Sequence, residues 1–244
     1  HHHDALMECL ERQTLWDFEV VVVDQSADSW HVPAGLPFDV VYVRTDIRSA
    51  GNARNLGAFY ARGRVLAFTD DDCRPDADWL EAALPYFTDR VDIGVEGLIL
   101  SDRAHDERFR PVTNIGFEGI GFMTANLLLR RETFMAVDGF DTQFDQPFRE
   151  DTDLAWRALE QGAIPFASDV RVYHPPQARA VAREGTAERV RFFEKDALLM
   201  KKHPDRYRTL FIREAHYAHT RGFADHLLRG AAKYQVKLDD FYLS

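Results

Sequence analysis

Four consecutive valines, Val20–Val23, follow Phe18-Glu19 and run directly into Asp24. β-Branched residues suit a pleated strand, and a run this apolar leaves no face for water. It predicts a strand covered on both sides, as in parallel sheets whose connections are helices. The polar exit Asp24-Gln25-Ser26 ends it. A helix is predicted before it over 4–13, a second strand over 39–44, a helix over 52–61 and a third strand over 65–69. Helix, strand, strand, helix, strand with short polar connections is the rhythm of an α/β, Rossmann-like sheet flanked by helices. In such sheets ligands collect outside the carboxyl ends of the strands.

The third strand ends in Phe68-Thr69-Asp70-Asp71-Asp72. Three adjacent carboxylates repel one another and demand solvent or a cation. At a strand mouth they suit a hard divalent metal and the phosphates it bridges. Taken alone, the run reads equally well as a solvated acidic turn. Asp24 lies at the same predicted edge, and two acidic strand ends together argue for a cleft.

Further along, the pattern predicts a helix over 76–84, a strand over 91–100 and a polar loop over 101–118. A strand over 124–130, a helical turn over 131–137 and a helix over 150–161 follow, the last stopped by Gly162. A strand over 170–173 runs into His174-Pro175-Pro176, and from Thr186 the chain reads as helical. The expected division is therefore an α/β unit over 1–178 and a helical tail over 179–244.

The 244-residue chain carries a formal charge of −10. That excludes a general nucleic-acid partner, which needs a basic surface to release counterions. Between Arg179 and Arg213, however, ten Lys/Arg stand against five Asp/Glu. This tail could meet anionic lipid or a lipid diphosphate, although a solvated helix face is the favoured reading. The two cysteines, Cys9 and Cys73, have no metal-type spacing. They fit a reducing compartment, hence a cytoplasmic protein, peripheral to the inner membrane face if the tail binds lipid.

The chain resembles the inverting glycosyltransferases of family 2, which have the GT-A fold. The resemblance rests on Val21-Val22-Val23-Asp24-Gln25-Ser26, Gly51-Asn52-Ala53-Arg54-Asn55-Leu56-Gly57 and Phe68-Thr69-Asp70-Asp71-Asp72. It continues through Ala125-Asn126 before Arg130-Arg131-Glu132, then Gly139-Phe140-Asp141, Glu150-Asp151 and Val172-Tyr173-His174-Pro175. No single piece is diagnostic; their order and spacing over residues 5–176 carry it. Members usually begin with a short strand ending in a Pro-Thr-Tyr-Asn-like segment. That strand is absent from the sequence, and its omission is expected rather than its loss.

The resemblance implies a mainly parallel mixed sheet and a nucleotide-diphosphate sugar as donor. Asp24 would read uracil or thymine through an imide N–H. Arg54 would contact base or diphosphate with its planar fork. Asp72 would ligate Mn²⁺ or Mg²⁺, with Asp70 facing the ribose and the metal's waters and Asp71 orienting either neighbour. His174 would complete the metal shell and tilt it toward Mn²⁺, because imidazole suits the later metal. Asp151 would be the base that takes the acceptor hydroxyl's proton, with Glu150 beside it. Asn126 would position donor or acceptor, a saccharide or lipid-linked sugar. Two further classes stay open at this stage: a catalytically silent nucleotide-sugar binder or partner subunit, and a nucleotidyltransferase on a similar sheet. The latter would want a Gly-rich, Lys- or Arg-containing phosphate loop after its first strand.

Overall fold

The protein is described by a computed structural model covering residues 2–102, 109–145, 147–178, 186–213 and 230–236. In chain order the elements are α1 (His2–Leu10), β1 (Glu19–Asp24), β2 (Asp39–Arg44), α2 (Ala50–Tyr60) and β3 (Val65–Phe68). Next come β4 (Arg74–Pro75), α3 (Trp79–Ala83), β5 (Gly94–Leu100), β6 (Phe109–Arg110), β7 (Leu127–Arg130) and α4 (Arg131–Ala136). The series closes with α5 (Glu150–Ala158), β8 (Phe166–Tyr173), β9 (Gln177–Ala178), α6 (Thr186–Lys202) and α7 (Pro204–Tyr207). The chain divides into two compact units, His1–Asp145 with Glu150–Ala178, and Gln146–Arg149 with Arg179–Ser244.

In the first unit the valine run does form a strand, and β1 pairs with β2 in parallel from Glu19↔Asp39 to Asp24↔Arg44. A separate five-stranded sheet has the order β3-β7-β5-β8-β4. Its β5–β8 pairing is parallel, whereas β3–β7, β5–β7 and β4–β8 are antiparallel. The sheet is mixed as expected, but its balance of directions is not the mainly parallel one that the resemblance implied. A third, two-stranded pairing joins β6 to β9.

The core is built where α1 and α3 cover the sheet. Leu6, Met7 and Leu10 of α1 join Trp79, Val95 and Ile99 in one buried cluster. Gln13 locks the end of α1 to α3, donating to the Asp76 carbonyl at 2.7 Å and accepting from the Leu80 N–H at 3.2 Å. α2 is capped by Ser49, whose hydroxyl accepts from Asn52 N–H, and lies against β1.

Several predicted elements shift. Thr124–Asn126 is a 3₁₀ turn rather than strand, and β8 begins at Phe166 rather than at 170. Within the predicted loop 101–118, Phe109–Arg110 pairs as a short strand.

Within the second unit, Arg149 donates to Asp196 of α6 at 2.9 Å, and both are buried. Lys195, one of the tail's ten basic residues, is also buried and donates to the Tyr234 hydroxyl at 2.9 Å. It therefore adds nothing to a basic surface. Arg179 and Arg183, and the histidines His216 and His219, lie outside the described residues. Among the described residues no helix is long and apolar enough to cross a membrane.

Candidate active site

A two-residue strand, β4, makes the acidic cluster. β4 pairs Arg74 with Tyr173 and Pro75 with Val172 in antiparallel register. The chain just before Arg74 therefore faces the chain just after Tyr173. His174 Nε2 lies 3.4 Å from Asp72 Oδ1 and 3.7 Å from Asp70 Oδ2. His174 is almost fully buried, and its backbone N–H donates to the Leu100 carbonyl at 2.8 Å. Its Nδ1 sits 2.8 Å from the Pro175 carbonyl. A proton on Nδ1 leaves Nε2 as the atom aimed at the carboxylates, the arrangement by which a second partner orients a ligating imidazole.

The charges respond to this crowding. Burial opposes a charged imidazole, but the Asp70 hydrogen bond, the Pro175 carbonyl and the Asp72 charge raise the His174 pKa. Burial raises the Asp72 carboxyl, and the repulsion of Asp70 and Asp71 adds to it against the pull of His174. Burial would raise Asp70 as well, yet His174 and Arg54 outweigh it and lower the group. Asp71 stays exposed on the turn.

One ligand atom from each of Asp70, Asp72, Cys73 and His174 falls within a 4.8 Å group. Two carboxylates and an imidazole fit a divalent ion of the Mn²⁺ type. Such an ion would also cancel the like-charge repulsion that raises Asp72. Cys73 is the least suited of the four: burial and Asp70 push its thiol up to about 12, and a neutral thiol is a poor ligand for a hard cation.

Arg54 connects this cluster to the other acidic end. From α2 its guanidinium donates to Asp70 Oδ1 at 3.0 Å and to Glu150 Oε1 at 2.9 Å, and lies over the Phe140 ring. The fork read as facing base or diphosphate is thus engaged by two carboxylates. Next to it, Asn55 exchanges two hydrogen bonds with the Phe140 backbone, at 2.9 and 2.8 Å. Gly139 takes φ +62, and a Cβ there would lie 2.5 Å from Asn55 Oδ1. Only glycine turns the chain at that point. Arg157 of α5 holds the same turn, donating to the Gly139 carbonyl at 2.7 Å. The Gly139-Phe140-Asp141 turn is therefore clasped between α2 and α5, and Phe140 packs edge-on against Phe68 at 5.5 Å, directly before the aspartate run.

Glu150 and Asp151 open α5, where the helix dipole favours negative charge. Glu150 is buried; burial and the Asp151 charge, opposed by Arg54, push its carboxyl up to about 7. Its Oε2 is buried without a hydrogen-bond partner. Asp151 is half-buried and accepts the Thr152 N–H on Oδ1 at 2.7 Å.

Two sequence-predicted site residues are differently employed. Asp24 Oδ1 accepts from Ser26 N–H at 2.8 Å and Ser26 hydroxyl at 2.5 Å. Its Oδ2 accepts from Tyr42 hydroxyl at 2.5 Å and Trp30 N–H at 3.3 Å. Burial would raise its pKa, but these four donors lower it. A carboxylate offers about four lone-pair sites, so reading a base would require exchanging one of these donors. Asn126 has no exposed surface; its amide accepts from Trp79 Nε1 at 2.8 Å and donates to the Leu98 and Val170 carbonyls. It fills the irregularity where β5 and β8 shift register at Gly97–Leu98. A Cβ on Gly97 would lie 2.2 Å from the Asn126 amide. The Asn126 amide is therefore engaged by the fold in all three of these bonds. Asn55 and Phe140, present in the sequence only as parts of motifs, and Tyr42, in no motif, carry structural links of the site.

Comparison with known proteins places the family and the fold. The profile of Glycosyl transferase family 2 matches residues 4–150. The chain is similar to Glycosyltransferase AglE of Haloferax volcanii, 28% identical over a 176-residue alignment, with 65% of this chain and 57% of that protein covered. It is also similar to the amylovoran biosynthesis glycosyltransferase AmsB of Erwinia amylovora, 27% identical over 81% of this chain and 72% of that one. Among solved structures, S. aureus TarS 1–349 in complex with UDP superposes with a TM-score of 0.67 at 19% identity, covering 98% of this chain and 75% of that one. The mannosyltransferase PcManGT of Pyrobaculum calidifontis, in complex with GDP-Man and Mn²⁺, superposes with a TM-score of 0.61 at 21% identity over 95% and 69%. These likenesses establish the GT-A fold. The profile covers more than half of the chain, and the chain belongs to glycosyltransferase family 2.

Proposed function

We propose that the protein is a metal-dependent inverting glycosyltransferase that moves a sugar from a UDP- or TDP-type nucleotide sugar to an acceptor hydroxyl. The observation that carries it is the junction at Arg54: one side joins the Asp70–Asp72–His174 cluster, the other joins Glu150 beside Asp151. An acidic metal-type cluster and a helix-start carboxylate pair are the two halves that sugar transfer requires. Two similar solved structures hold such ligands, UDP in TarS and GDP-Man with Mn²⁺ in PcManGT.

Asp70, Asp72 and His174 would hold the ion, which when bound neutralises charge growing on the leaving diphosphate. Asp151 takes the proton from the acceptor hydroxyl as its oxygen bonds to the anomeric carbon. The bond from that carbon to the diphosphate oxygen breaks with inversion, and the electron pair leaves on the diphosphate. Glu150 Oε2, buried without a partner, is suited to accept a hydrogen bond from a sugar hydroxyl. Arg54 keeps Glu150 and Asp70 in register. The acceptor is a saccharide or a lipid-linked sugar, and the setting cytoplasmic.

Thermal unfolding with UDP, TDP, GDP and ADP, each with Mn²⁺ or with EDTA, tests this reading. A ligand at a hundred times its Kd should stabilise the protein by about 2.7 kcal/mol. Uridine and thymidine diphosphates should stabilise only with metal. Equal effects from the purine diphosphates would remove base reading from Asp24, and no effect from any of them would sink the proposal.

A further inference from the structure

Glu96 is the sole charge in β5 and has no exposed surface. A buried carboxyl costs several kcal/mol unless it is bonded, and none of the steps above uses it. Its Oε2 accepts the Gly119 N–H at 2.7 Å, and its Oε1 accepts from the Asn114 amide at 3.2 Å. Asn114, also fully buried, donates to the Gly97 carbonyl and accepts from the Ile99 N–H, at 2.8 and 2.9 Å. The segment 114–119 is thus pinned to β5.

Its continuation is pinned to α5. The Gly121 carbonyl accepts the Thr152 hydroxyl at 2.9 Å, and the Ile120 carbonyl accepts Trp156 Nε1 at 3.3 Å. Directly after them, Phe122 is buried with φ +53. Such a backbone is uncommon outside glycine and persists where its surroundings fix it. Thr152 closes the path on Asp151, its N–H 2.7 Å and its hydroxyl 3.4 Å from Oδ1.

We infer that Glu96 is a positioning residue: by holding Gly119 it sets the 119–121 backbone against Thr152, and through Thr152 the carboxylate of Asp151. The inference rests on Asp151 as proton acceptor in the transferase reading. Burial pushes Glu96 up to about 7, with Glu118 and Asp151 adding repulsion and the Gly119 and Asn114 donors opposing it. Both N–H donors therefore face a carboxylate whose charge only they favour.

Hydrogen exchange on the full chain, read peptide by peptide, tests the link without substrate. Glu96→Gln keeps the side chain's shape but sets an amide N–H₂ against either Gly119 N–H or the Asn114 amide. Exchange should then quicken about tenfold both over 114–121 and over 150–154, while β7 stays at the parent rate. Thr152→Val removes the hydroxyl at the far end. It should quicken 119–121 and 150–154, and combining it with Glu96→Gln should add little, because both cut one path. UDP affinity with Mn²⁺ should stay within about twofold of parent in all three variants. Release of UDP from UDP-glucose or UDP-GlcNAc, whichever the parent hydrolyses, should fall about tenfold or more. If Glu96→Gln loosens 114–121 alone, with 150–154 and UDP release at parent values, Glu96 is a local anchor and the inference is wrong. Should Glu96→Gln not fold, parent-like exchange over 119–121 in Thr152→Val overturns it by itself. A parent that neither binds nor releases UDP would fail the transferase reading, and the exchange pattern would still decide the Glu96–Thr152 link.

Discussion

Arg54 and Glu150 stand 96 residues apart in sequence and meet at 2.9 Å, in a pair of which Glu150 is almost wholly buried. The same guanidinium holds Asp70. Removing one partner of a buried pair leaves a charge without compensation, at a cost of about 3–5 kcal/mol. Arg54→Ala should therefore lower unfolding free energy by roughly that amount at pH 8. The loss should be smaller at pH 6, because Glu150, already raised to about 7, can take up a proton instead. Arg54→Lys keeps the charge but not the fork and should fall between the two. Urea unfolding at both pH values measures this; equal losses at pH 6 and 8 would exclude Glu150 as the stranded charge.

Asp151→Asn keeps size and most hydrogen bonding but cannot accept a proton. Transfer should drop by about 10²–10⁴-fold while binding of UDP with Mn²⁺ persists. Glu150→Gln should cost less and act mainly on acceptor affinity. Steady-state kinetics on both variants separate the two roles. A dead Glu150→Gln beside a normal Asp151→Asn would exchange the assignments.

Metal affinity should rise with pH. The imidazole of His174 ligates when neutral, and its pKa is raised above 6.5 by Asp70, Pro175 and Asp72 against burial. Below that midpoint a proton competes with the ion, so affinity should gain up to about tenfold per pH unit and level off above it. Titration of Mn²⁺ from pH 6 to pH 9 checks the slope. His174→Ala should weaken binding and flatten the profile, whereas Asp72→Ala should abolish metal-dependent nucleotide binding.

Glu96 imposes an opposite pH dependence on folding. Its pKa of about 7 in the fold lies above the ordinary 4.5, so the folded chain binds more protons than the unfolded one between those values. Its contribution is complete below about 4.5 and is lost as pH rises through about 7, a change of about 3 kcal/mol. Chemical unfolding at half-unit steps from pH 4.5 to 8 should show the decline, and Glu96→Gln should remove that part of it.

What could be read from the sequence was whatever depended on neighbours along the chain. The valines Val20–Val23 and the helix-start pair Glu150-Asp151 carry their own patterns, and both elements stand where the patterns predict. Arg74–Pro75 has two residues and no periodicity, yet its pairing with Tyr173 and Val172 brings Asp72 to His174. Asn126 reads in the sequence as a polar group within the predicted strand 124–130; its bonds to Leu98 and Val170 depend on a register shift that no local pattern encodes. Asp24 looked open because Ser26 and Tyr42 reach it only after the loop folds back. One signal does lie in the sequence itself. Glu96 is a lone acid in an otherwise apolar run between glycines, and a charge there has to be bonded.

Pro75 gives the edge of the sheet a further property. β4 is the last strand in the order, and a terminal strand offers unpaired backbone groups on which another chain can polymerise. Pro75 has no N–H to offer and is followed by Asp76, whose own N–H is taken by the Arg171 carbonyl at 3.1 Å. The strand that assembles the acidic cluster thus also refuses a neighbour, and concentrated protein should resist aggregation through this edge.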